Sequence, residues 1–170
     1  VLACRGVEVV PGLAAGSPDG LQLDDGRIVP ADCIIAATGV RPAPWLTDTG
    51  LALAGDGFIA VGDGQRSVSH PRVFAAGDVA SRIDAPHAKS GVYAVRAGPV
   101  LSDNLRRALD GQPIRSYQPQ KRTLYLLATG PREAIMSWAG LTASGAWVWR
   151  WKDAIDRRFM RQYDTGAEAG

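Results

Sequence analysis

The sequence has few of the features that mark specialised classes of protein. It contains only two cysteines, Cys4 and Cys33, and neither belongs to a CxxC or CxxH pattern. That spacing argues against a metal site and against a disulfide framework. No apolar run reaches the roughly 18 residues that a bilayer-spanning helix needs, and the first residues do not resemble a secretion signal. We therefore expect a cytoplasmic location.

An excess of charge of one sign is also lacking. The 19 Lys and Arg residues nearly balance the 17 Asp and Glu residues, so that the formal net charge is +2. This balance favours neither nucleic acid nor an acidic protein as a partner, and we expect no nucleic-acid binding. A hydrophobic fraction of 46% is ordinary for a globular protein, and the chain is long enough for one domain or slightly more.

The first half of the chain predicts several short strands. Residues 6–10 predict a strand, and Asp24-Asp25-Gly26 predicts the tight turn of a hairpin, so that this region is a β-meander. Residues 31–37 are apolar without alternation, which is typical of a strand buried on both faces of a parallel sheet. The prolines after Val40 exclude a helix at that point. Residues 57–61 predict a further strand.

Residues 73–80 hold the most informative stretch. Residues 73–76 predict a short buried strand, and Gly77-Asp78 follow at its carboxyl end, the edge at which nucleotides bind in open α/β sheets. Glycine lets the backbone approach a ligand, and a carboxylate accepts hydrogen bonds from sugar or polyol hydroxyls. By itself the motif favours a core strand that ends in a solvated turn over a ligand site. The similar end of the earlier strand at Thr38-Gly39 favours a ligand site.

The second half predicts helices and a small α+β unit. Apolar residues at spacings of three and four predict a helix over 88–109, which Pro99 should kink or divide and which Asp110-Gly111 should end. Residues 123–128 and 133–138 predict two strands, and a second helix is expected over 146–163. Residues 164–170 have the composition of a linker.

These blocks, in this order, resemble the second half of FAD-dependent pyridine nucleotide-disulfide oxidoreductases. The resemblance rests on Ala37-Thr38-Gly39 with Arg41-Pro42, on the 57–61 strand and on Phe74-Ala75-Ala76-Gly77-Asp78. Residues 86–98 and the two-strand tail look most like type II NADH dehydrogenases, and more narrowly like the oxidoreductase module fused ahead of selenide, water dikinase.

The resemblance implies a fold and a domain plan. The fold is α/β, a partial doubly wound FAD/NAD(P)-binding fold in which a β-meander joins parallel strands and helices, with a small α+β C-terminal domain. Residues 1–36 would end the NAD(P)-binding domain, and 37–111 would form the second half of the FAD-binding domain. Residues 112–163 would form the C-terminal interface domain, and 164–170 a tail or linker.

The resemblance also implies roles for individual residues in binding FAD. Asp78 would hydrogen-bond the ribityl chain, with Gly77 allowing the close approach. Thr38 and Gly39 would lie near the adenosine and pyrophosphate half. The start of the long helix would face the flavin ring through Ala88, Lys89 and Ser90, where the helix dipole stabilises negative charge on reduced flavin and Lys89 adds a full positive charge.

The sequence departs from the family pattern at two points. No GxGxxG turn is present for either dinucleotide, so we expect a fragment that does not bind FAD or NAD(P)H completely by itself. Val92 and Arg96 stand where type II NADH dehydrogenases usually carry glutamines, so the electron acceptor stays open between a quinone and another compound. The full-length protein would pass hydride from NAD(P)H to flavin. The alternative is a non-catalytic interaction or dimerisation module.

The remaining candidates have several interpretations. Cys33 is expected to be a small buried hydrophobe, and Cys4 has no assigned role. His87 is either a proton donor or a residue that shields the helix start, and no catalytic acid, base or nucleophile is assigned. In the last helix, the spacing of four favours packing on the domain core by residues Trp147, Trp151, Ile155 and Phe159. Contact with the inner membrane surface through Trp147, Trp149 and Trp151, or a homodimer or fused-domain interface, are the other uses of this helix.

Overall fold

The first 40 residues carry a three-stranded antiparallel sheet. A computed structural model describes residues 6–163 and divides the chain into two units between Val40 and Arg41. Cys4 and the expected linker 164–170 lie outside the described residues. The strands of the first unit are β1 (Ala14–Ser17), β2 (Gly20–Leu23) and β3 (Ile28–Val29), in that order.

The predicted hairpin of the first unit is confirmed. Leu21 pairs with Val29 across β2 and β3, and Gly26 has the positive φ of 84° that the tight turn requires. The Asp25 carboxylate accepts hydrogen bonds from the Arg27 backbone N–H at 3.0 Å and from its Nε at 2.6 Å. The turn is therefore fixed by its own side chains.

The two other strands predicted for this unit are wrong. Residues 6–10 and 31–37 have no regular structure, and Val9 and Ile35 are 68% and 85% exposed. Cys33 is also exposed, so it is not the buried hydrophobe that was expected. A strand needs a hydrogen-bonded neighbour, and within residues 6–163 no segment pairs with either stretch. Apolar composition alone does not supply that neighbour.

The second unit begins around a parallel pair of strands. They are β4 (Ile59–Val61) and β5 (Ala80–Arg82), with Ile59 opposite Ala80. A 3-10 helix over Pro44–Thr49 packs beside them, and its Leu46 belongs to the same buried cluster as Ile59 and Val61. The prediction that prolines exclude a helix here is wrong. Pro44 occupies the first helical turn, where a missing N–H costs nothing.

The prediction of a strand over 73–76 is also wrong, because this segment belongs to none of the sheets of the described chain. This segment runs antiparallel to residues 65–67, with the Ser67 N–H donating to the Val73 carbonyl at 2.8 Å and the Ala75 N–H to the Gln65 carbonyl at 3.0 Å. A 3-10 turn at Gly77–Val79 then leads into β5. The Gly-Asp pair therefore precedes a parallel strand, because the positive φ of Gly77 redirects the chain at that point.

The long helix, α1 (Gly91–Leu109), begins three residues later than predicted, with Ser90 as its N-cap. It runs through Pro99 without being divided. The predicted stop is confirmed: Gly111 has a φ of 67°, and the Gln112 N–H donates to the Arg107 carbonyl at 2.7 Å.

The C-terminal part is an antiparallel sheet covered by one helix. Strands β6 (Tyr125–Gly130) and β7 (Glu133–Trp138) confirm the two predicted strands, and β8 (Leu141–Gly145) was not predicted. The second helix, α2 (Ala146–Met160), packs mainly on β7.

The buried face of α2 differs from the predicted one. Val148 of α2 and Ala134 of β7 are both completely buried, whereas Trp147, Trp151 and Ile155 are 49%, 41% and 42% exposed. Helical spacing of four identifies one face correctly but does not say which face meets the sheet. Here that face is about one residue further along the helix.

Candidate functional site

A cleft of about 180 Å³ opens at the start of α1. Its walls are the turn before β4, the Gly77–Val79 turn, β5 and the segment that leads into α1. The cleft brings together five of the predicted site residues: Gly77, Asp78, Ala88, Lys89 and Ser90. The other two, Thr38 and Gly39, lie in the first unit, in an exposed segment without regular structure. Their role stays a prediction.

The Gly-Asp pair presents a free carboxylate to the cleft. Gly77 has a φ of 73°, and a Cβ at this position would lie 3.5 Å from the Ala94 Cβ, an ordinary contact. The backbone conformation, and not a shortage of space, therefore requires glycine here. Asp78 is exposed, and no group within the described chain hydrogen-bonds or pairs with its carboxylate. It is available to accept hydrogen bonds from a ligand.

The start of α1 presents hydrogen-bond donors to the same cleft. Ser90 is the N-cap in an extended conformation, but its hydroxyl does not cap the helix. This Oγ is buried and has no hydrogen-bond partner within residues 6–163. The Tyr93 and Ala94 N–H groups both donate to the Ser90 carbonyl, and the N–H groups before them have no acceptor inside the helix. Together with the helix dipole they favour a negatively charged ligand group.

Lys89 lies in the cleft wall with its ammonium directed at the strands. Its Nζ donates to the Ala80 carbonyl at 2.8 Å and to the Ser81 Oγ at 2.9 Å. The same Nζ is 3.6 Å from the Asp56 Oδ2 and 3.8 Å from the centre of the Phe58 ring. Burial acts to raise the pKa of Asp56, but the Ser81 hydroxyl, the Phe58 N–H and the Lys89 charge outweigh it and lower the pKa. The carboxylate is therefore ionised at neutral pH.

His87 forms another part of the wall. Its Nδ1 lies 2.8 Å from the Ala85 carbonyl. A carbonyl only accepts, so Nδ1 is the donor, and the ring bonds to Ala85 and not to the helix start. The imidazole stacks on Tyr93 with ring centres 4.4 Å apart, and the Tyr93 hydroxyl in turn contacts the Gln120 carbonyl and the Thr123 hydroxyl. The role of His87 as a proton donor stays a prediction.

A buried arginine, Arg82, also lines the cleft, and the sequence analysis did not predict it. The Arg82 side chain is 2% exposed and makes two hydrogen bonds to Asp84, at 2.9 and 2.6 Å, and one to the Tyr117 carbonyl at 2.8 Å. The Arg82 hydrogen bonds lower the pKa of the Asp84 carboxyl, and burial raises the pKa of Tyr117. No sequence motif marks this cluster, because its members meet only in the folded chain.

Comparison with known proteins identifies the family. Residues 3–98, more than half of the chain, match the pyridine nucleotide-disulphide oxidoreductase family. The chain belongs to this family. Members of this family generally bind FAD and use NAD(P)H.

In the solved structures, 31 chains are similar to this pyridine nucleotide-disulphide oxidoreductase chain. One is the crystal structure of Fdr9, which is 24% identical in sequence with a TM-score of 0.48. The alignment covers 74% of this chain and 39% of Fdr9, so the chain spans about two fifths of that structure. Among curated proteins no sequence match was found.

Two further properties of this family member concern metals and membranes. Between residues 6 and 163, no group of three or more His, Cys, Asp or Glu side chains is placed to hold a metal ion. None of the helices in that range combines the length and the apolar character needed to cross a membrane.

Proposed function

We propose that this chain supplies the ribityl-binding and flavin-facing half of the FAD site in an FAD-dependent NAD(P)H oxidoreductase. The observation that carries the proposal is the Asp78 carboxylate, which has no partner within the described chain and lies in the same cleft as the start of α1. The unpartnered hydroxyl of Ser90 and the left-handed Gly77 support the same assignment. An acceptor for hydroxyls and a set of donors for negative charge are the groups that FAD requires.

Each residue of the site has a separate task in this proposal. Asp78 accepts hydrogen bonds from the ribityl hydroxyls, and Gly77 lets the backbone come close to them. The start of α1, with Ala88 and Ser90, stabilises negative charge at one edge of the ring. Thr38 and Gly39 are proposed to contact the adenosine and pyrophosphate half. FAD itself supplies the redox chemistry when bound, accepting hydride from NAD(P)H and delivering electrons to an acceptor.

The finer assignment concerns the branch of the family and its partners. Residues 86–98 support a module like the type II NADH dehydrogenase-like oxidoreductase that precedes selenide, water dikinase, with a quinone or another compound as the electron acceptor. The exposed Trp147 and Trp151 support a surface for a membrane, for a second copy or for a fused domain. The alternative of a non-catalytic interaction module is not favoured, because the family match includes the cleft residues from Gly77 to Ser90.

Flavin binding by the full-length protein tests this proposal. We expect the purified protein to show flavin absorbance, and Asp78→Ala to weaken FAD binding about tenfold or more, as expected for the loss of hydrogen bonds to a charged group. Asp63→Ala is the matched control, because Asp63 is also an exposed aspartate in a turn but lies outside the cleft. A wild-type protein that takes up no FAD, or an Asp78→Ala variant with unchanged affinity, would refute the assignment.

A further inference from the structure

Lys89, Ser81 and Asp56 form a hydrogen-bonded and charge-paired network in the cleft wall. An ammonium has three N–H donors. Two of those of Lys89 are taken by the Ala80 carbonyl and the Ser81 Oγ, and the Asp56 carboxylate and the Phe58 ring lie on the remaining side. The Ser81 hydroxyl accepts from Lys89 and donates its own proton to the Asp56 Oδ2 at 2.6 Å. The Lys89 ammonium is therefore directed at β5 and at Asp56.

This network joins the two sides of the cleft. On one side, Ala80 and Ser81 begin β5 directly after the turn that holds Asp78. On the other side, Lys89 directly precedes Ser90, the N-cap of α1. The hydrogen bonds from Lys89 to β5 therefore link the strand that follows the Asp78 turn to the start of α1.

We infer that Lys89 is a positioning residue, which together with Asp56 and Ser81 fixes the spacing between Asp78 and the start of α1. Its positive charge is paired with Asp56 and does not act on the flavin. The positive potential at the flavin edge comes from the N-terminus of α1. This inference rests on the proposed FAD site, and it gives Lys89 a different role from the one that the family resemblance implied.

Two substitutions separate positioning from a direct charge effect. Lys89→Met keeps the apolar stem and removes the ammonium, whereas Asp56→Asn removes the opposite charge. If Lys89 acted on the flavin through its charge, the flavin reduction potential would fall in Lys89→Met and rise in Asp56→Asn. For a positioning network we expect both variants to lower the potential and to weaken FAD binding about tenfold. The double variant should be no worse than either single one, because one network is lost in each.

The measurements are made on the full-length protein, by FAD titration and by spectroelectrochemical reduction. Lys121→Met serves as the control, because Lys121 is exposed and lies outside the cleft. Potential changes of opposite sign in Lys89→Met and Asp56→Asn, or additive losses of affinity in the double variant, would overturn the inference.

A readout without cofactor distinguishes failure of this inference from failure of the proposed function. In the FAD-free full-length protein, we expect the Tyr93 and Ala94 amides, which donate to the Ser90 carbonyl, to exchange with solvent deuterium about tenfold faster in Lys89→Met than in Lys121→Met. Equal exchange rates would overturn the positioning role. If the wild-type protein binds no FAD, the proposed function fails, and the exchange result still decides whether Lys89 positions the helix start.

Discussion

The side chain of Asn104 and the backbone of Arg115 form a reciprocal pair of hydrogen bonds. The Asn104 Nδ2 donates to the Arg115 carbonyl at 2.8 Å, and the Arg115 N–H donates to the Asn104 Oδ1 at 2.7 Å. The same Nδ2 also donates to the Gly64 carbonyl at 2.9 Å. Asn104 is completely buried, so one side chain of α1 holds both the loop after β4 and the loop that leads to the C-terminal sheet.

Asn104→Ala is therefore expected to destabilise the protein strongly. The change removes the partner of the buried Gly64 carbonyl and of the partly buried Arg115 carbonyl and N–H, and we expect a loss of about 2–4 kcal/mol in the free energy of unfolding. Urea unfolding measures it. Gln118→Ala, at an exposed amide of the same loop, should change the free energy by less than about 0.5 kcal/mol. Similar losses in both variants would contradict the anchoring role of Asn104.

The buried face of α2 gives a second prediction. Val148→Ala removes methyl groups from a completely buried site against the sheet and should cost about 2 kcal/mol. Trp151→Ala, on the exposed face of the same helix, should cost less than about 1 kcal/mol. Thermal unfolding of the two variants decides between the observed helix face and the one that the spacing of four predicted. A larger loss for Trp151→Ala would favour the latter.

Acid should weaken the Arg82–Asp84 cluster. The folded-state pKa of Asp84 is lowered, first by its hydrogen bonds to Arg82. A lowered carboxyl pKa contributes stability that is present above the unfolded pKa of about 4 and is lost as the pH falls through the folded value. Asp84→Asn should lower stability at neutral pH, because the buried Arg82 loses its partner.

The pH profile of that variant provides the measurement. Between pH 5 and pH 2, Asp84→Asn should lose less stability than the wild type, as followed by urea midpoints at each pH. Asp19→Asn, at an exposed aspartate of the first unit, serves as the control and should keep the wild-type slope. An Asp84→Asn slope equal to that of the wild type would show that the pair does not contribute.

At Gly77 there is room for a side chain, but the backbone conformation is unfavourable for any residue other than glycine. Its φ of 73° is costly for an L-residue, whereas the added Cβ would meet only Ala94 at an ordinary distance. We expect Gly77→Ala to cost about 1–2 kcal/mol and to weaken FAD binding by displacing Asp78. Gly62→Ala is the matched control, since its φ is not in the positive range and nothing lies within 4 Å of the new Cβ. Chemical unfolding and FAD titration compare the two.

The exposed face of α2 predicts binding to anionic lipid. Trp147 and Trp151 are exposed on one face of the helix, and Arg158 and Arg161 lie close by in the sequence. Tryptophan and arginine together favour the interface of an anionic bilayer. In flotation with phosphatidylglycerol vesicles, we expect bound protein to decrease several-fold when both tryptophans are changed to Ala.

Two controls sharpen the flotation experiment. Trp45→Ala removes a tryptophan that is 61% exposed elsewhere in the same unit and should leave binding unchanged. Neutral phosphatidylcholine vesicles should bind less protein than anionic ones, because the arginines contribute through charge. Absence of flotation by the wild type would leave a second copy or a fused domain as the partner of this face, with dimerisation measured by sedimentation.

Local chemistry determined which parts of the fold could be predicted. The turn at Gly26, the helix stop at Gly111 and the strands β6 and β7 are each encoded within a few neighbouring residues, and the structure confirms them. The prediction for residues 73–76 was wrong because this segment pairs with the loop 65–67. No periodicity in the sequence indicates that pairing. The prediction of the buried face of α2 was wrong because the spacing of apolar residues indicates a helix but does not show which side of that helix packs on the sheet.

The candidate site divides in the same way. Gly77 and Asp78 are adjacent in the chain, so the motif can be recognised from the sequence alone. The structure places both residues in a cleft with the start of α1. The network of Lys89, Ser81 and Asp56 joins residues up to 33 positions apart in sequence. Such contacts form only in the folded protein, so no local sequence pattern predicts them.

The exposed stretch before Val40 has a consequence for handling the protein. Residues 33–40 carry no charge and are rich in β-branched and small apolar side chains, and Ile34 and Ile35 are 46% and 85% exposed. Unpaired backbone of this composition is a template for cross-β association between chains. These eight residues lie outside the three sheets of the described chain, so we expect them to favour association between copies of the polypeptide in concentrated solution.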